Sequence, residues 1–503
     1  MFLQLRRAYQ VVFFCLFLFL VIVTTPTLLR GYPAEWFLGL DPLAAVTTAL
    51  ATHALYVHML WALPLIVLTL VFGRFFCGWV CPMGALHHLL GHLGRKRRKV
   101  DRVKQNVVRP SRAIKYGILA VFLGSALIGS VQIGFLDPIA STWRGLATVV
   151  IPAASNAAYG LYQGERHFQY GALVGVVFFG ALSLNFIYPR FYCRVLCPLG
   201  AFLGLLAKFS LFRISKKAEL CKECEVCGAD CQGAADPQGT VRVTECMVCL
   251  NCVDGCARGG LSYRFMPRTE PAVTNINLSR RQWLGAGVAG AAFVPLARAS
   301  DGVGPRPHPG RIRPPGAREE SLFLDRCLKC GACMKVCPTG GLQPALNEAG
   351  LEGIWSPILI PRLGYCEYSC NLCGQVCPTG AIRKLTLPEK NGKPPLQAPV
   401  RIGSAAFNKG RCLPWAYDTD CIVCEEVCPT SPKAIYLKQE AVTARDGTQK
   451  TLKRPYVDLE YCVGCGTCET RCPIVDSAGV RVSAANESRT PRSSIHLLGG
   501  AKV

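Results

Sequence analysis

Acidic side chains are scarce in this chain: 32 Asp and Glu face 56 Lys and Arg over 503 residues, a formal charge of +24. That count treats every Cys as neutral, and thiolates bound in six [4Fe–4S] clusters at about −2 each would cancel roughly half of it. The rest lies beside apolar segments, which excludes nucleic acid as the reason for the charge and points to membrane topology. Histidine is scarcer, with 8 residues, and of the four longest apolar stretches only 53–72 holds any, His53 and His58. A bis-histidine haem needs an opposed partner on another helix, so haem is not expected. Those two side chains are candidates instead for hydrogen bonds to a quinol.

Hydrophobic residues make up 50% of the chain, with a mean hydropathy of +0.27, which fits a protein partly in a membrane. The apolar stretches 8–29, 53–72, 113–133 and 170–188 each approach the ~20 residues that a transmembrane helix needs. Arg6, Arg7 and the basic runs at 95–99, 102–115 and 190–217 mark one side as cytoplasmic, with the N-terminus inside. The region repeats itself: Leu40-Asp41-Pro42-Leu43, a helix and Cys77-x3-Cys81-Pro82 are echoed by Leu136-Asp137-Pro138-Ile139, a helix and Cys193-x3-Cys197-Pro198. Two hairpins of one orientation, related by an axis along the membrane normal, would bring both Cys pairs together at the cytoplasmic face.

The expected architecture is an α-helical membrane domain, four transmembrane helices in two repeated hairpins, at 1–214, plus two small α+β ferredoxin-like domains. The first, at 215–270, holds two clusters on the cytoplasmic side. Residues 275–300 include Ser279-Arg280-Arg281-Gln282-Trp283-Leu284 and end in Ala297-Arg298-Ala299. This has the form of a twin-arginine export signal inside the chain, with cleavage after Ala299, or of a fifth membrane helix. A Pro- and Arg-rich linker at 301–320 then leads to a periplasmic four-cluster domain at 321–503.

The 29 Cys recur at two- and three-residue spacings, the rhythm of metal thiolates rather than of a disulfide framework. Cys221, Cys224, Cys227 and Cys231, then Cys246, Cys249, Cys252 and Cys256, follow the bacterial ferredoxin pattern, in which the fourth Cys of each group serves the other cluster. Four more groups follow: Cys327, Cys330, Cys333, Cys337; Cys366, Cys370, Cys373, Cys377; Cys412, Cys421, Cys424, Cys428; and Cys462, Cys465, Cys468, Cys472. The wider spacings after Cys366 and Cys412 lengthen a loop without removing a ligand, so six [4Fe–4S] clusters are expected. Zinc ribbons would pair two C-x2-C units rather than repeat this longer pattern.

Cys15, within an apolar helix, reads as a small buried hydrophobe. Cys77, Cys81, Cys193 and Cys197 leave three readings open: ligands of a further buried cluster, redox dithiols near a quinone, or packing. Asp41 and Asp137 read as helix N-caps before Pro, or as outward-facing proton acceptors for a quinol.

Residues 1 to about 270, with four helices, two C-x3-C-P motifs and a two-cluster ferredoxin, resemble NapH-type membrane quinol dehydrogenases. Residues from about 275 onward resemble their exported NapG/MauM-type four-cluster partners, so the whole is similar to a fusion of the two. The resemblance implies electron transfer in a bacterial inner membrane, from a membrane quinol to a periplasmic reductase or its cytochrome subunit, with the twin-arginine translocase as export partner and no nucleic acid. An assembly or reactivation factor for a periplasmic metalloenzyme is the second reading, because the membrane motif also occurs in NosR-like and CcoG-like proteins. The flavin-binding region of the first and the β-sandwich tail of the second are not found here. A cytoplasmic polyferredoxin serving a membrane complex is the third reading.

Overall fold

Phe, Leu and Val run from Phe2 to Val23 without a breaker and form one helix, α1 (Phe2–Val23). The computed structural model describes residues 2–29, 35–97, 102–107, 109–159, 167–221, 224–266, 278–300, 308–392, 398–445 and 447–490. Among them α1 alone is long and apolar enough to cross a bilayer. The other three expected spans are shorter. His53, at φ 50°, ends α2 (Pro42–Thr52) and lies exposed outside any helix, so the second stretch begins as a tight turn at Val57 and runs into α3 (Ala62–Phe72). Then come α4 (Pro82–Arg97) and α5 (Ala113–Leu127), where Gly129 at φ 74° turns the chain away. A second set follows: α6 (Pro138–Gly145), α7 (Ile151–Tyr159), α8 (Gly171–Ser183) and α9 (Pro198–Ala207). At the centre Phe17 of α1 meets Phe37 and Trp143 edge-on, with ring centroids 5.0 and 5.5 Å away. Only one side of α1 is covered this way, so Cys15 is exposed rather than buried.

The segment with the Arg pair is a single helix, α10 (Arg280–Ser300), laid along α5. The two backbones touch where side chains are missing: a methyl on Gly290 would strike the Val121 carbonyl, and one on Gly124 would strike that of Gly287. At its end Arg298 forms a fork to Glu352, at 2.8 and 2.9 Å, and donates to the Gly129 carbonyl at 2.9 Å.

Two ferredoxin-like domains sit at opposite ends of α5. Near its start Arg112 donates to the Ala234 carbonyl (2.6 Å) and Lys115 pairs with Glu245 (2.5 Å). Past its end Val131 N–H bonds Leu324 O (3.2 Å) and Lys329 Nζ bonds Gln132 Oε1 (2.5 Å). Fifteen residues at 1.5 Å each put those ends only about 22 Å apart, less than the hydrocarbon thickness of a bilayer. The inner domain is closed by antiparallel β1 (Phe212–Lys216) and β2 (Leu261–Phe265). The outer domain carries three further pairs, β3 (Leu342–Pro344) with β4 (Pro357–Leu359), β5 (Ser404–Phe407) with β8 (Val480–Ser483), and β6 (Ile435–Thr443) with β7 (Gln449–Val457).

The supposed linker is in large part domain: Ile312 and Arg313 are buried, and Ile312 bridges Leu359. Glu320 fixes it there, 2.6 Å from Arg313 and 2.7 Å from Arg489. Burial opposes its charge, yet Arg313, Arg489 and Arg311 hold its carboxyl far below the usual carboxylate range. A depressed folded pKa gives stability that is complete above the unfolded value of about 4.3 and is lost progressively as pH falls below it toward the folded value. Hydrogen exchange should therefore show the 308–320 segment opening only as pH drops below about 4, with Glu320→Gln already open at about pH 6. Equal protection in both proteins at every pH would rule these ion pairs out as the clamp.

Candidate iron–sulfur relay

In the inner domain one cavity is lined by Cys231, Cys246, Cys249 and Cys252, so the fourth Cys of the first group does join the second. Cys227 feels the charges of Cys224 and Cys221. Burial works slightly against the Cys256 thiolate, but backbone N–H groups around Arg258, Gly259, Gly260 and Leu261 hold its pKa below the ordinary thiol value.

The outer domain makes the same exchange twice. Cys333 is surrounded by Cys330, Cys327 and Cys377, while Cys373 is surrounded by Cys366, Cys370 and Cys337. Cys428 lines one cavity with Cys462, Cys465 and Cys468. Cys412 lies among Cys421, Cys424 and Cys472, so the widely spaced Cys412 does join its group. Burial pushes the Cys412 thiol up to about 11 and those of Cys330 and Cys424 up to about 12, so loading these sites must release protons. Four thiols converging on small apolar hollows fit [4Fe–4S] clusters. Among the described residues no group holds a single metal ion. The Cys366 N–H bonds the Cys465 carbonyl at 2.7 Å, joining the two halves of the outer domain.

The C-x3-C-P pairs also come together. Cys197 is within charge range of Cys193, Cys77 and Cys81; Cys81 and Cys197 are buried, and Cys77 and Cys193 are partly so. Each repeat builds the same turn: Cys81 Sγ accepts the Gly84 N–H at 3.4 Å, and Cys197 Sγ the Gly200 N–H at 3.2 Å. Two residues missed in the sequence stand beside them, Arg74 and Arg190, each three positions before its first Cys. The repeat does extend that far, as Arg-Phe-x-Cys-x3-Cys-Pro-x-Gly-Ala, which was the signal available. Arg190 donates across to the Cys77 carbonyl at 3.3 Å, and Arg74 reaches Cys77 Sγ at 3.9 Å and packs against Gly200 of the other repeat. Arg74 Nε and Arg190 Nε and Nη2 are buried with no hydrogen-bond partner.

This thiol site joins the two domains. On the inner side Arg74 donates to the Thr244 carbonyl (2.6 Å), Arg190 to Met247 Sδ (3.2 Å) and the Trp79 indole to the Val248 carbonyl (2.8 Å), all next to Cys246 and Cys249. On the outer side the Tyr192 hydroxyl donates to the Leu136 carbonyl. From there Arg144 spans Gly134 O (3.0 Å) and Lys329 O (2.8 Å), within charge range of Cys330 and Cys327.

Asp41 and Asp137 are both N-caps and both buried, at 2% and 1% exposure. Oδ1 of each carboxylate accepts the N–H groups that open its own helix, and Asp137 Oδ2 is buried with no hydrogen-bond partner. His58 is turned to the outer domain, 3.3 Å from Lys384, and takes no part in a buried site with His53. A different cavity opens between α1 and α4, lined by Arg7, Gln10, Val11, Phe14, Ala85, Leu86, His88 and Leu89.

Comparison with known proteins agrees with these thiol sites. A family described as a 4Fe-4S binding domain matches residues 55–101 and 170–217, the two C-x3-C-P hairpins, and a second of the same description matches 322–343. The methylamine utilization ferredoxin-type protein MauM of Methylorubrum extorquens is 32% identical over 198 residues, 39% of this chain and 80% of MauM. The chain belongs to the ferredoxin-type electron-transport proteins. The ferredoxin-type chain is also similar to the regulatory protein NosR of Pseudomonas aeruginosa, 33% identical over 233 residues, 43% of this chain. YccM of Escherichia coli is 30% identical over 204 residues, 39% of this chain. The chain spans 30% of the length of NosR and 53% of that of YccM. No solved structure matches it.

Proposed function

We propose that this ferredoxin-type protein takes electrons from a membrane quinol and delivers them to a periplasmic acceptor, a nitrate- or nitrous-oxide-type reductase or its cytochrome subunit. The likeness to a NapH-type dehydrogenase joined to a NapG/MauM-type ferredoxin belongs to this reading, as do six [4Fe–4S] clusters on the 24 ferredoxin Cys. A cluster supplies a one-electron site when bound. The observation that carries the reading is the unbroken series of thiol sites, from Cys246 past Arg74 to Cys77 and Cys197, then by Tyr192 and Arg144 to Cys330. Arg74, Arg190 and Arg144 set positive charge along it, which favours the more negative, reduced state at each site. The fork of Arg298 to Glu352 supports a chain that works uncut, with α10 as a retained helix.

Purified, cluster-replete protein mixed anaerobically with a reduced quinol analogue tests this. Rapid bleaching of the visible absorption, blocked by a quinone-site inhibitor, is expected. Bleaching by dithionite alone would replace the reading with that of an assembly factor.

A further inference from the structure

We propose that the cavity between α1 and α4 is the quinol site, with Gln10 and His88 holding the headgroup. The proposal rests on the quinol reading above and gives it a place that none of His53, His58, Asp41 or Asp137 occupies. The cavity has a volume of about 310 Å³, at the small end of the range of small-molecule sites. Its walls are apolar, Val11, Phe14, Ala85, Leu86 and Leu89, and its polar atoms come from three residues, Arg7, Gln10 and His88. It opens where α1 is bare: Val11 and Val12 are 62% and 63% exposed, and Phe19 is 57% exposed. An amphipathic ring with a hydrocarbon tail fits this distribution, the ring on the polar atoms and the tail along the bare face.

The polar pair is ordered from behind. Gln10 is buried, and its Nε2 donates to the Gly78 carbonyl at 2.6 Å, which turns its Oε1 to His88 Nδ1 at 2.9 Å. With Nδ1 donating, a neutral imidazole carries its lone pair on Nε2, the atom that would accept a hydroxyl proton. Gly78 lies between Cys77 and Cys81, and a methyl there would strike the Met247 carbonyl, next to Cys246. The headgroup would thus sit one side chain from both the four-thiol site and the inner ferredoxin site of Cys231, Cys246, Cys249 and Cys252.

The balance is that of quinol oxidation: the quinol loses two O–H protons and two electrons and becomes the quinone. His88 Nε2 takes the first proton and passes it to water at the exposed Arg7 rim, and the second follows. The inner Cys groups would hold the iron–sulfur clusters that accept the electrons one at a time. Protons are therefore released at the end of the bundle that carries the inner domain.

The test uses the full holoprotein in lipid nanodiscs with an azidoquinone photolabel and a quinol analogue. Label is expected on peptides covering residues 7–14 and 85–89. His88→Leu and Gln10→Leu should slow quinol-driven bleaching by about 100-fold or more, with iron content and dithionite bleaching unchanged. A wild type that quinol reduces, but whose label falls on other residues or is kept out by bound phospholipid, overturns the site and leaves the quinol reading standing. A wild type that quinol does not reduce overturns both. A His88 variant that has lost iron is set aside for Gln10→Leu, whose unchanged rate would equally overturn the site.

Discussion

Replacing Cys377 with alanine will strip iron from the site of Cys327, Cys330 and Cys333 and leave that of Cys366, Cys370 and Cys373 loaded, although Cys377 belongs to the second group in the sequence. Cys337→Ala will do the reverse. The reason is the exchange of fourth ligands: Cys377 lies with Cys327, Cys330 and Cys333, and Cys337 with Cys366, Cys370 and Cys373. Each variant should lose up to about four iron atoms per chain, the content of one cluster. Alkylation of the folded protein followed by peptide mapping identifies the emptied site, because its three remaining thiols become reactive. The Cys377 variant should be the more damaging to outward electron flow, since Arg144 connects the thiol site to Cys330 and Cys327. Newly reactive Cys366, Cys370 and Cys373 in the Cys377 variant would mean that each group closes on itself and that the exchange is wrong.

Glu245→Gln should loosen the inner domain by about 3–5 kcal/mol, the cost of leaving a buried charge without its partner. The Glu245 carboxylate sits 2.5 Å from Lys115 and 3.9 Å from Arg74, and the Tyr116 hydroxyl donates to it at 3.0 Å. Both cations are fully buried on the helical side, so no water replaces the lost charge. Burial alone would push the Glu245 pKa up, but Lys115 and Arg74 hold it below the ordinary value. The contact therefore holds at neutral pH and is lost only as pH falls through that depressed value. Limited proteolysis of the inner domain in detergent should speed up in Glu245→Gln and return toward the wild-type rate in Glu245→Leu with Lys115→Met, which removes both charges. If the single variant resists protease as the wild type does, the ion pair is not what seats the domain against Cys77.

The Cys spacing alone marked iron–sulfur binding and 24 candidate thiols, because ligands of one cluster are close in sequence and their loop lengths are set by the metal. It also carried the exchange expected in the inner domain. The duplication at Asp41 and Asp137, and at the two C-x3-C-P turns, was equally legible, since a repeated motif builds a repeated local structure. Helix length was less legible. Apolar runs do not reveal where His53 or Gly129 will turn the chain, so three of the four expected spans became shorter helices beside a single long one.

Composition, spacing and repetition, then, determined by themselves that this is a ferredoxin-type iron–sulfur protein with an apolar helical region and two Cys-rich domains. Only the tertiary structure decided that the four C-x3-C-P thiols share one site, that Arg74 and Arg190 guard it from opposite repeats, and that Gln10 and His88, 78 residues apart, face one cavity. The division has a physical basis. Thiols that share a cluster declare themselves through short loops, whereas a site assembled from distant helices depends on how those helices pack, and no local pattern records that.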